Sequence, residues 1–293
     1  MPFSINFLLP CRQNTNVYFR PGCPARINYT PYAQAKSDDD FIPKWAGPLN
    51  IAVCAPWRQG KMTLASRLFG PLIGTAEMDP STADDSLLPG EQAAIVHAVD
   101  KRRREFIAGR TCVRRAMAAL GERPAPILQG EDRAPIWPQG LVGCITHTDT
   151  RCAVAVARVA DGFRSLGLDI EPAAAIKPEL LRIICLPEER AYLDSQPAAE
   201  RGLLGKLIFS AKECAYKCQY TLSRAFLDFH AMRVFPDLAG GGFVAVFQRD
   251  AAPFVSGDEL RGRLLVDQGY IMTAMALTIR TACAKLPAGT FAA

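Results

Sequence analysis

The segment Ser165–Pro172, SLGLDIEP, combines the pattern of a buried strand with two acids near its end. Its apolar residues alternate as they do on the buried face of a β-strand, at Leu166, Leu168 and Ile170. Asp169 and Glu171 are two residues apart, and residues at i and i+2 point to the same face of a strand. The two carboxylates therefore lie side by side, where like charges repel each other. Such an arrangement calls for something that offsets the repulsion.

Length and composition restrict the class of protein. The chain has 293 residues, of which 49% are apolar and 22% charged, a balance typical of globular proteins. The net charge of +5 suits phosphate ligands or acidic partners. The sequence has no apolar run of about 18 residues, and its ten cysteines lack the spacing of a zinc site. We therefore expect a cytoplasmic protein with reduced thiols and no membrane span.

Patterns on either side of the Ser165–Pro172 segment predict an α+β fold. Before it, Glu91–Leu120 has apolar residues at helical spacing, and residues 141–159 have the pattern of two strands around a turn. After it, Leu207–Tyr220 carries an apolar helical stripe, and short strand-like segments follow. The two halves therefore order their elements similarly, which is typical of an α+β pseudo-duplicate divided near residue 161.

This division gives three parts of the chain. Residues 1–61 contain Pro, Gly, Asn and an acidic run without sustained periodicity. They are predicted to be a poorly ordered N-terminal extension, and Met62 is a candidate for the natural start. Residues 62–160 form the predicted N-terminal lobe, and residues 161–293 form the predicted C-terminal lobe.

Three carboxylates form the first candidate site. Asp169 and Glu171 share one strand face, and Glu213 lies on the helix predicted over Leu207–Tyr220. Oxygen ligands of this kind suit Mg²⁺, which would also remove the repulsion between the acids. From spacing alone, exposed acids that pair with lysines are an equally good interpretation. Lys217, four residues after Glu213, adds a candidate acid–base pair, although such helix pairs are usually plain ion pairs.

Basic and histidine-containing stretches form the second candidate site. The run Lys101–Arg115 has seven basic residues in fifteen, which suits a polyphosphate, a nucleic acid or simply a solvated helix face. The sequence has no helix-turn-helix, zinc knuckle or RNA-binding aromatic strand, which argues against nucleic acid. Thr146 and His147 end a predicted strand, where a histidine could bind phosphate or donate a proton.

Five ordered motifs resemble those of the 4′-phosphopantetheinyl transferases, in particular the larger surfactin- and enterobactin-type branch. The motifs are KRRREFIAGR, GEDRAPIWP, GCITHT, SLGLDIEP and FSAKECAYK, within residues 88–235. The family's most diagnostic pair is a G-(I/L)-D-x-E strand and an (F/W)-x-x-K-E-x-x-x-K helix, here at residues 167–171 and 209–217. Cys144 stands where many relatives have serine, and Arg133 stands where smaller relatives have lysine.

The resemblance implies a fold, a reaction and a set of site residues. The implied fold is a pseudo-twofold monomer of two lobes, with coenzyme A held between them. The implied enzyme transfers 4′-phosphopantetheine from coenzyme A to a serine of an apo acyl or peptidyl carrier protein, with Mg²⁺ as cofactor, and releases adenosine 3′,5′-bisphosphate. The matching positions are Asp169, Glu171 and Glu213 for the metal, Glu213 and Lys217 for catalysis, and Arg102, Arg110, Arg133, Thr146, His147, Asp169 and Lys217 for coenzyme A.

Two other functions compete with this interpretation. A non-catalytic protein could bind nucleic acid or another anion through Lys101–Arg115, and a different Mg²⁺-dependent phosphate enzyme, such as a hydrolase, could use the three acids. In the leading interpretation the partners are coenzyme A and the carrier, without nucleic acid or membrane. Fatty-acid, polyketide and siderophore-type peptide carriers all fit, with a weak preference for secondary metabolism.

Overall fold

The computed structural model describes residues 62–84 and 86–279, so the predicted extension over residues 1–61 lies outside the described residues. The α-helices are α1 (Leu64–Leu68), α2 (Asp100–Ala119), α3 (Pro178–Ile184), α4 (Pro187–Asp194) and α5 (Ala198–Ser223). The strands are β1 (Ile73–Met78), β2 (Leu128–Gln129), β3 (Pro135–Ile136), β4 (Leu141–His147), β5 (Cys152–Arg158), β6 (Phe163–Pro172), β7 (Met232–Asp237), β8 (Gly242–Phe247), β9 (Glu259–Asp267) and β10 (Tyr270–Thr278). None of the described helices has the length and apolar character needed to cross a membrane.

Two antiparallel sheets repeat one topology. The first sheet has the order β1-β5-β4, and the second has the order β6-β10-β9-β8-β7. In both, the first strand of the half pairs with the last, which pairs in turn with the strand before it. The strands β2 and β3 form a separate short hairpin. The shared topology confirms the predicted α+β fold of two similar halves, and β7 and β8 extend only the second.

The sheets pack face to face, and a long helix covers the outer side of each. Alternate residues of β5 divide between the two sides, with Ala153, Ala155 and Ala157 toward the second sheet and Cys152, Val154 and Val156 toward α2. Three apolar residues of β6 lie in the layer between the sheets and are at most 1% exposed, namely Leu166, Leu168 and Ile170. This confirms the buried strand predicted for SLGLDIEP. The lobes are thus joined by a shared apolar core.

The helix predicted over Glu91–Leu120 is wrong in its first turns. Glu91–Ile95 forms a short 3₁₀ turn, and α2 begins only at Asp100. The reason is the Glu91 side chain, which is fully buried and accepts the backbone N–H groups of Leu88 and Ile127. The bond to Ile127, which is 36 residues away, holds the turn apart from the axis of α2, and apolar spacing alone does not reveal it.

Candidate active site

Strand β6 presents its polar face to helix α5, and a glycine sets how closely they approach. A Cβ atom on Gly167 would lie 2.3 Å from the carbonyl oxygen of Cys214, so no larger residue fits without displacing the helix. Residues two and four positions further along β6 point the same way. The contact therefore brings Glu213 and Lys217, which flank Cys214 on α5, toward the acids of β6.

Asp169 lies where the two lobes meet. It is only 3% exposed, and its Oδ1 accepts hydrogen bonds from Lys217 Nζ at 2.6 Å and from Thr146 Oγ1 at 3.2 Å. Lys217 Nζ also donates to the carbonyl of Leu168 at 3.3 Å. The other oxygen, Oδ2, is buried and has no hydrogen-bond partner among the described residues. A buried carboxylate oxygen without a partner is costly and indicates a position meant for a ligand.

Glu171 and Glu213 share the electrostatic environment of Asp169. Burial and the negative charge of Asp169 together raise the pKa of each to about 7. Two lysines act in the opposite direction, Lys206 on Glu171 at 3.1 Å and Lys217 on Glu213. Burial lowers the pKa of Lys217, but Asp169 and Glu213 outweigh this effect and hold it above its ordinary value. The three predicted acids are therefore coupled across one site.

The donor set suits a hard cation, although the side chains are not gathered into a metal cage. Within the described ranges, no group of three Asp, Glu, His or Cys side chains is tight enough to hold a metal ion. Asp169 and Glu171 pair with lysines instead, which was the alternative interpretation of their spacing. The oxygen-only donors, the unpartnered Asp169 oxygen and the mutual repulsion nevertheless fit Mg²⁺. The magnesium site stays a prediction.

A second polar cluster adjoins the first through β4. Next to Thr146, the Nε2 atom of His147 lies 3.0 Å from Arg102 Nη1, and its Nδ1 atom lies 3.6 Å from Glu105 Oε2. Because arginine only donates, Nε2 accepts, and the ring proton of neutral His147 belongs on Nδ1, facing Glu105. Burial, with Arg102 and Lys217, lowers the pKa of His147 to about 4. At neutral pH His147 is thus an uncharged residue beside a charged Arg102.

The predicted basic run does not form a single phosphate-binding face. Arg110 is 5% exposed, its Nε donates to the carbonyl of Ile127 at 2.8 Å, and its guanidinium stacks on Phe106. Arg114 turns inward as well, toward Glu91 at 3.2 Å. Helix α2 therefore uses part of its positive charge inside the N-terminal lobe. Arg110 lies within the core of this lobe, and its predicted contact with coenzyme A stays a prediction.

Several residues of the site were missed at the level of sequence. Lys206 bonds to Glu171, and Glu105 faces His147. Lys206 precedes Glu213 by two helical turns and shares its face, but it lies one residue before the helix predicted from Leu207, because the observed helix begins at Ala198. Glu105 follows Arg102 by three residues, the spacing of a helical ion pair. These signals are weak without knowledge of the facing strands.

Two protein-family models together match most of the described chain. A family model described as 4′-phosphopantetheinyl transferase N-terminal domain matches residues 90–157, and one described as 4′-phosphopantetheinyl transferase superfamily matches residues 165–274. The 4′-phosphopantetheinyl transferase Npt of Nocardia iowensis is 36% identical over 217 residues, which cover 70% of this chain and 95% of Npt. The 4′-phosphopantetheinyl transferase PptT of Mycobacterium tuberculosis is 38% identical over 65% of this chain and 86% of PptT. Enterobactin synthase component D of Escherichia coli K12 is 33% identical over 55% of this chain and 77% of its own length.

Proposed function

The chain belongs to the 4′-phosphopantetheinyl transferase superfamily and is a phosphopantetheinyl transferase, and from this premise we propose its complete reaction. The donor is coenzyme A, the acceptor is a serine hydroxyl of an apo acyl or peptidyl carrier protein, and the reaction depends on Mg²⁺. The serine oxygen forms a bond to the phosphorus that carries pantetheine. The bond from that phosphorus to the bridging oxygen breaks, and adenosine 3′,5′-bisphosphate leaves. The observation that carries the proposal is the buried, unpartnered Oδ2 of Asp169, an acid that bonds to Lys217 through Oδ1 and acts electrostatically on Glu171 and Glu213.

The side chains of α5 suit the proton transfers of this reaction. Glu213 is a carboxylate on the helix that faces Asp169, and we assign it the proton of the carrier serine. General-base catalysis needs only hydrogen-bond reach and a pKa near the working pH. Lys217 is cationic and held at Asp169 at 2.6 Å, so it offers positive charge to the leaving phosphate. The serine comes from the partner, so the chain needs no nucleophile of its own.

Asp169, Glu171 and Glu213 would hold Mg²⁺, which supplies charge neutralisation for the pyrophosphate. Their own contribution is to be fixed in place before substrate arrives. The apolar face of β6 is buried between the sheets, and the helix that carries Glu213 contacts Gly167 directly. Catalysis of phosphoryl-type transfer depends mostly on such positioning and on electrostatic stabilisation.

On the N-terminal side, the contacts of Arg102, Thr146 and His147 support their predicted role in binding coenzyme A. Thr146 bonds to Asp169, and His147 bonds to Arg102. Arg102 is partly exposed and charged, which suits a phosphate of coenzyme A. Neutral His147 offers hydrogen bonding and orients Arg102. Arg133 is exposed on the β2–β3 hairpin, and we assign it a phosphate of coenzyme A as well.

The decisive experiment incubates the protein with an apo carrier, coenzyme A and Mg²⁺, and weighs the carrier by mass spectrometry. We expect the carrier to gain the mass of one phosphopantetheinyl group. When a chelator is present during the incubation, we expect no gain. Fatty-acid, polyketide and siderophore-type peptide carriers are tested in parallel, since any of them would serve. No mass gain on any carrier would overturn the proposal. Consumption of coenzyme A without a carrier would indicate a hydrolase instead.

A single substitution tests the role of Glu213. Glu213→Gln keeps the shape of the side chain and removes its charge, so we expect transfer to be abolished while thermal unfolding stays cooperative. Full activity in this variant would remove Glu213 from the mechanism. Glu131→Gln, on an exposed loop, is the matched control and should transfer at the rate of the unaltered protein.

A further inference from the structure

One carboxylate joins the two lobes outside the catalytic cluster. Asp132 lies in the loop between β2 and β3, and its Oδ2 accepts a hydrogen bond from the Tyr220 hydroxyl at 2.8 Å. The guanidinium of Arg224 lies 3.6 Å from the same oxygen. Tyr220 and Arg224 are at the C-terminal end of α5, the helix that carries Glu213. We call these contacts of Asp132 with Tyr220 and Arg224 the Asp132 clasp.

The other oxygen of Asp132 orders its own loop. Oδ1 accepts the backbone N–H of Ala134 at 3.0 Å. The loop is closed by the N–H of Gly130 donating to the Ala134 carbonyl, and by the N–H of Arg133 donating to the Gly130 carbonyl, both at 2.9 Å. These bonds hold Arg133 in the left-handed conformation, with φ of 62°. Asp132 therefore connects the backbone of Arg133 to α5.

The backbone on both sides of the clasp is strained. Among the described residues, three that are not glycine have positive φ, namely Arg133, Arg224 and Gln268. Two of these adjoin Asp132, one from each lobe. Residues with a Cβ atom disfavour this conformation, and it persists only where the surroundings hold it. The clasp thus brings together two segments that are each held in a disfavoured geometry.

We propose that Asp132 is a positioning residue for coenzyme A. It fixes the β2–β3 hairpin to the end of α5, so that the exposed Arg133 is presented to a phosphate of coenzyme A at a set distance from Glu213 and Lys217. Asp132 does not itself touch the substrate. An acid near an anionic ligand would otherwise weaken binding, and Arg224 offsets its charge. The inference rests on the proposed function, because it takes coenzyme A as the ligand.

The test measures coenzyme A binding by titration calorimetry, without a carrier, in variants of the clasp. Asp132→Ala removes the contacts with Tyr220, Arg224 and Ala134 together and should weaken binding about tenfold. Tyr220→Phe removes one hydrogen bond to the carboxylate and should weaken binding about threefold. The double variant should bind no more weakly than Asp132→Ala, because both changes break the same contact. The matched control is Glu131→Ala, which removes a carboxylate from the same loop without touching the clasp and should not weaken binding.

Kinetics separate positioning from a merely structural role. With a carrier that accepts the group, Asp132→Ala should raise KM for coenzyme A and leave KM for the carrier unchanged, with a melting temperature within about 2 °C of the unaltered protein. Binding equal to that of Glu131→Ala, additive losses in the double variant, or a parallel loss of melting temperature and of both KM values would each overturn the inference. If the unaltered protein binds coenzyme A but modifies no carrier, the proposed function fails, while the binding comparison still decides the role of Asp132.

Discussion

The two lobes pack their long helices in the same way. In the N-terminal lobe, a Cβ on Gly74 of β1 would lie 2.2 Å from the carbonyl oxygen of Ala116 on α2. In the C-terminal lobe, a Cβ on Gly167 of β6 would lie 2.3 Å from that of Cys214 on α5. Each helix therefore crosses the first strand of its sheet at a glycine. The close approach belongs to the scaffold and not to one lobe.

The residues that follow each glycine are what differ. Two and four positions after Gly74, the helix-facing residues are Ala76 and Met78, which pack against α2 and its surroundings. The equivalent positions after Gly167 are Asp169 and Glu171. One scaffold thus serves in the first lobe as plain packing and in the second as a carboxylate site. Chemistry depends on which residues occupy the contact and not on the contact itself.

A buried glutamate ahead of the long helix is a second repeated feature. In the N-terminal lobe, Glu91 Oε1 accepts the N–H of Ile127 at 2.9 Å. Its Oε2 accepts from the N–H of Leu88 at 2.8 Å and from Arg114 at 3.2 Å. These bonds connect the turn before α2, the helix itself and the segment after it. Arg114 also reaches the exposed Ser86.

The C-terminal lobe repeats this arrangement with shorter bonds. Glu189 Oε1 accepts the N–H of Val234, and its Oε2 accepts that of Leu186 and the ammonium of Lys212, all at 2.6 to 2.7 Å. Lys212 is 3% exposed and donates also to the carbonyls of Ile184 and Phe229. Lys212, which precedes Glu213 in the chain, therefore has a structural role. We call the set of bonds around each buried glutamate the tie of its lobe. The bonds of the buried glutamate are therefore shorter in the lobe whose helix carries the proposed catalytic residues.

The largest expected effect on stability comes from breaking the tie in the C-terminal lobe. Lys212→Met leaves Glu189 buried with an uncompensated charge and should lower the free energy of unfolding by about 3–5 kcal/mol. Arg114→Met, the equivalent change, should cost less, because Arg110 still lies 4.0 Å from Glu91. Urea unfolding at pH 7 measures both. Equal losses would show that the two ties are energetically equivalent.

Adding a methyl group at each glycine separates packing from chemistry. Gly167→Ala and Gly74→Ala should each lower the free energy of unfolding by about 1–3 kcal/mol, since both overpack a helix against a strand. Transfer should fall about a hundredfold in Gly167→Ala alone, because displacing α5 by an ångström moves Glu213 away from Asp169. Carrier modification rates, compared at equal folded fraction, check this. A matching loss in Gly74→Ala would contradict the division of roles.

Between pH 6.5 and pH 4, the free energy of unfolding should depend on the protonation of His147. Its pKa is about 4 in the folded chain against an ordinary 6.5, so the unfolded chain binds the proton more readily between these values. Stability should therefore fall as pH drops from 6.5 to 4, by at most about 3 kcal/mol. His147→Asn should flatten this slope in unfolding curves measured across that range. An unchanged slope would show that other groups cause it.

The buried glutamates of the C-terminal lobe should change stability with pH in the opposite direction to His147. The pKa values of Glu171 and Glu213 are raised from 4.5 to about 7, so the folded chain binds their protons more tightly than the unfolded chain. Their contribution to stability is present below pH 4.5 and is lost as pH rises to 7. In the presence of a chelator, Glu213→Gln should gain stability relative to the unaltered protein as pH rises. A relative loss at pH 8 would contradict this sign.

A substitution of Cys144, which lies where the lobes meet, should have the smallest effect on stability and activity. Its thiol is buried and donates to the Leu168 carbonyl at 3.5 Å, and burial raises its pKa to about 11. Cys144→Ser offers a hydroxyl to the same carbonyl, so the free energy of unfolding should change by less than about 1 kcal/mol. Transfer rates should be unchanged. A large loss of activity would mean that this contact positions Asp169.

The sequence predicted elements whose evidence is local. The alternation in Ser165–Pro172 and the helical stripe of Leu207–Tyr220 are confirmed, because burial of one face imposes a period that survives in the sequence. The duplication is also visible as a short sequence repeat that the periodicity does not reveal. The motif Leu-Pro-x-Glu occurs at residues 88–91 and again at residues 186–189. Each copy supplies the buried glutamate of its lobe. Four residues are too few to identify a repeat without the structure.

Patterns in the sequence were enough to predict the α+β class, the strand that carries Asp169 and Glu171, and the helix that carries Glu213 and Lys217. The inward turn of Arg110 and Lys212, and the contact of Asp132 with Tyr220, became visible only in the folded chain. The difference arises because periodicity records which face of an element is buried. The partner of a charged side chain depends instead on atoms that are distant in the chain, and they come together only when the sheets and helices pack.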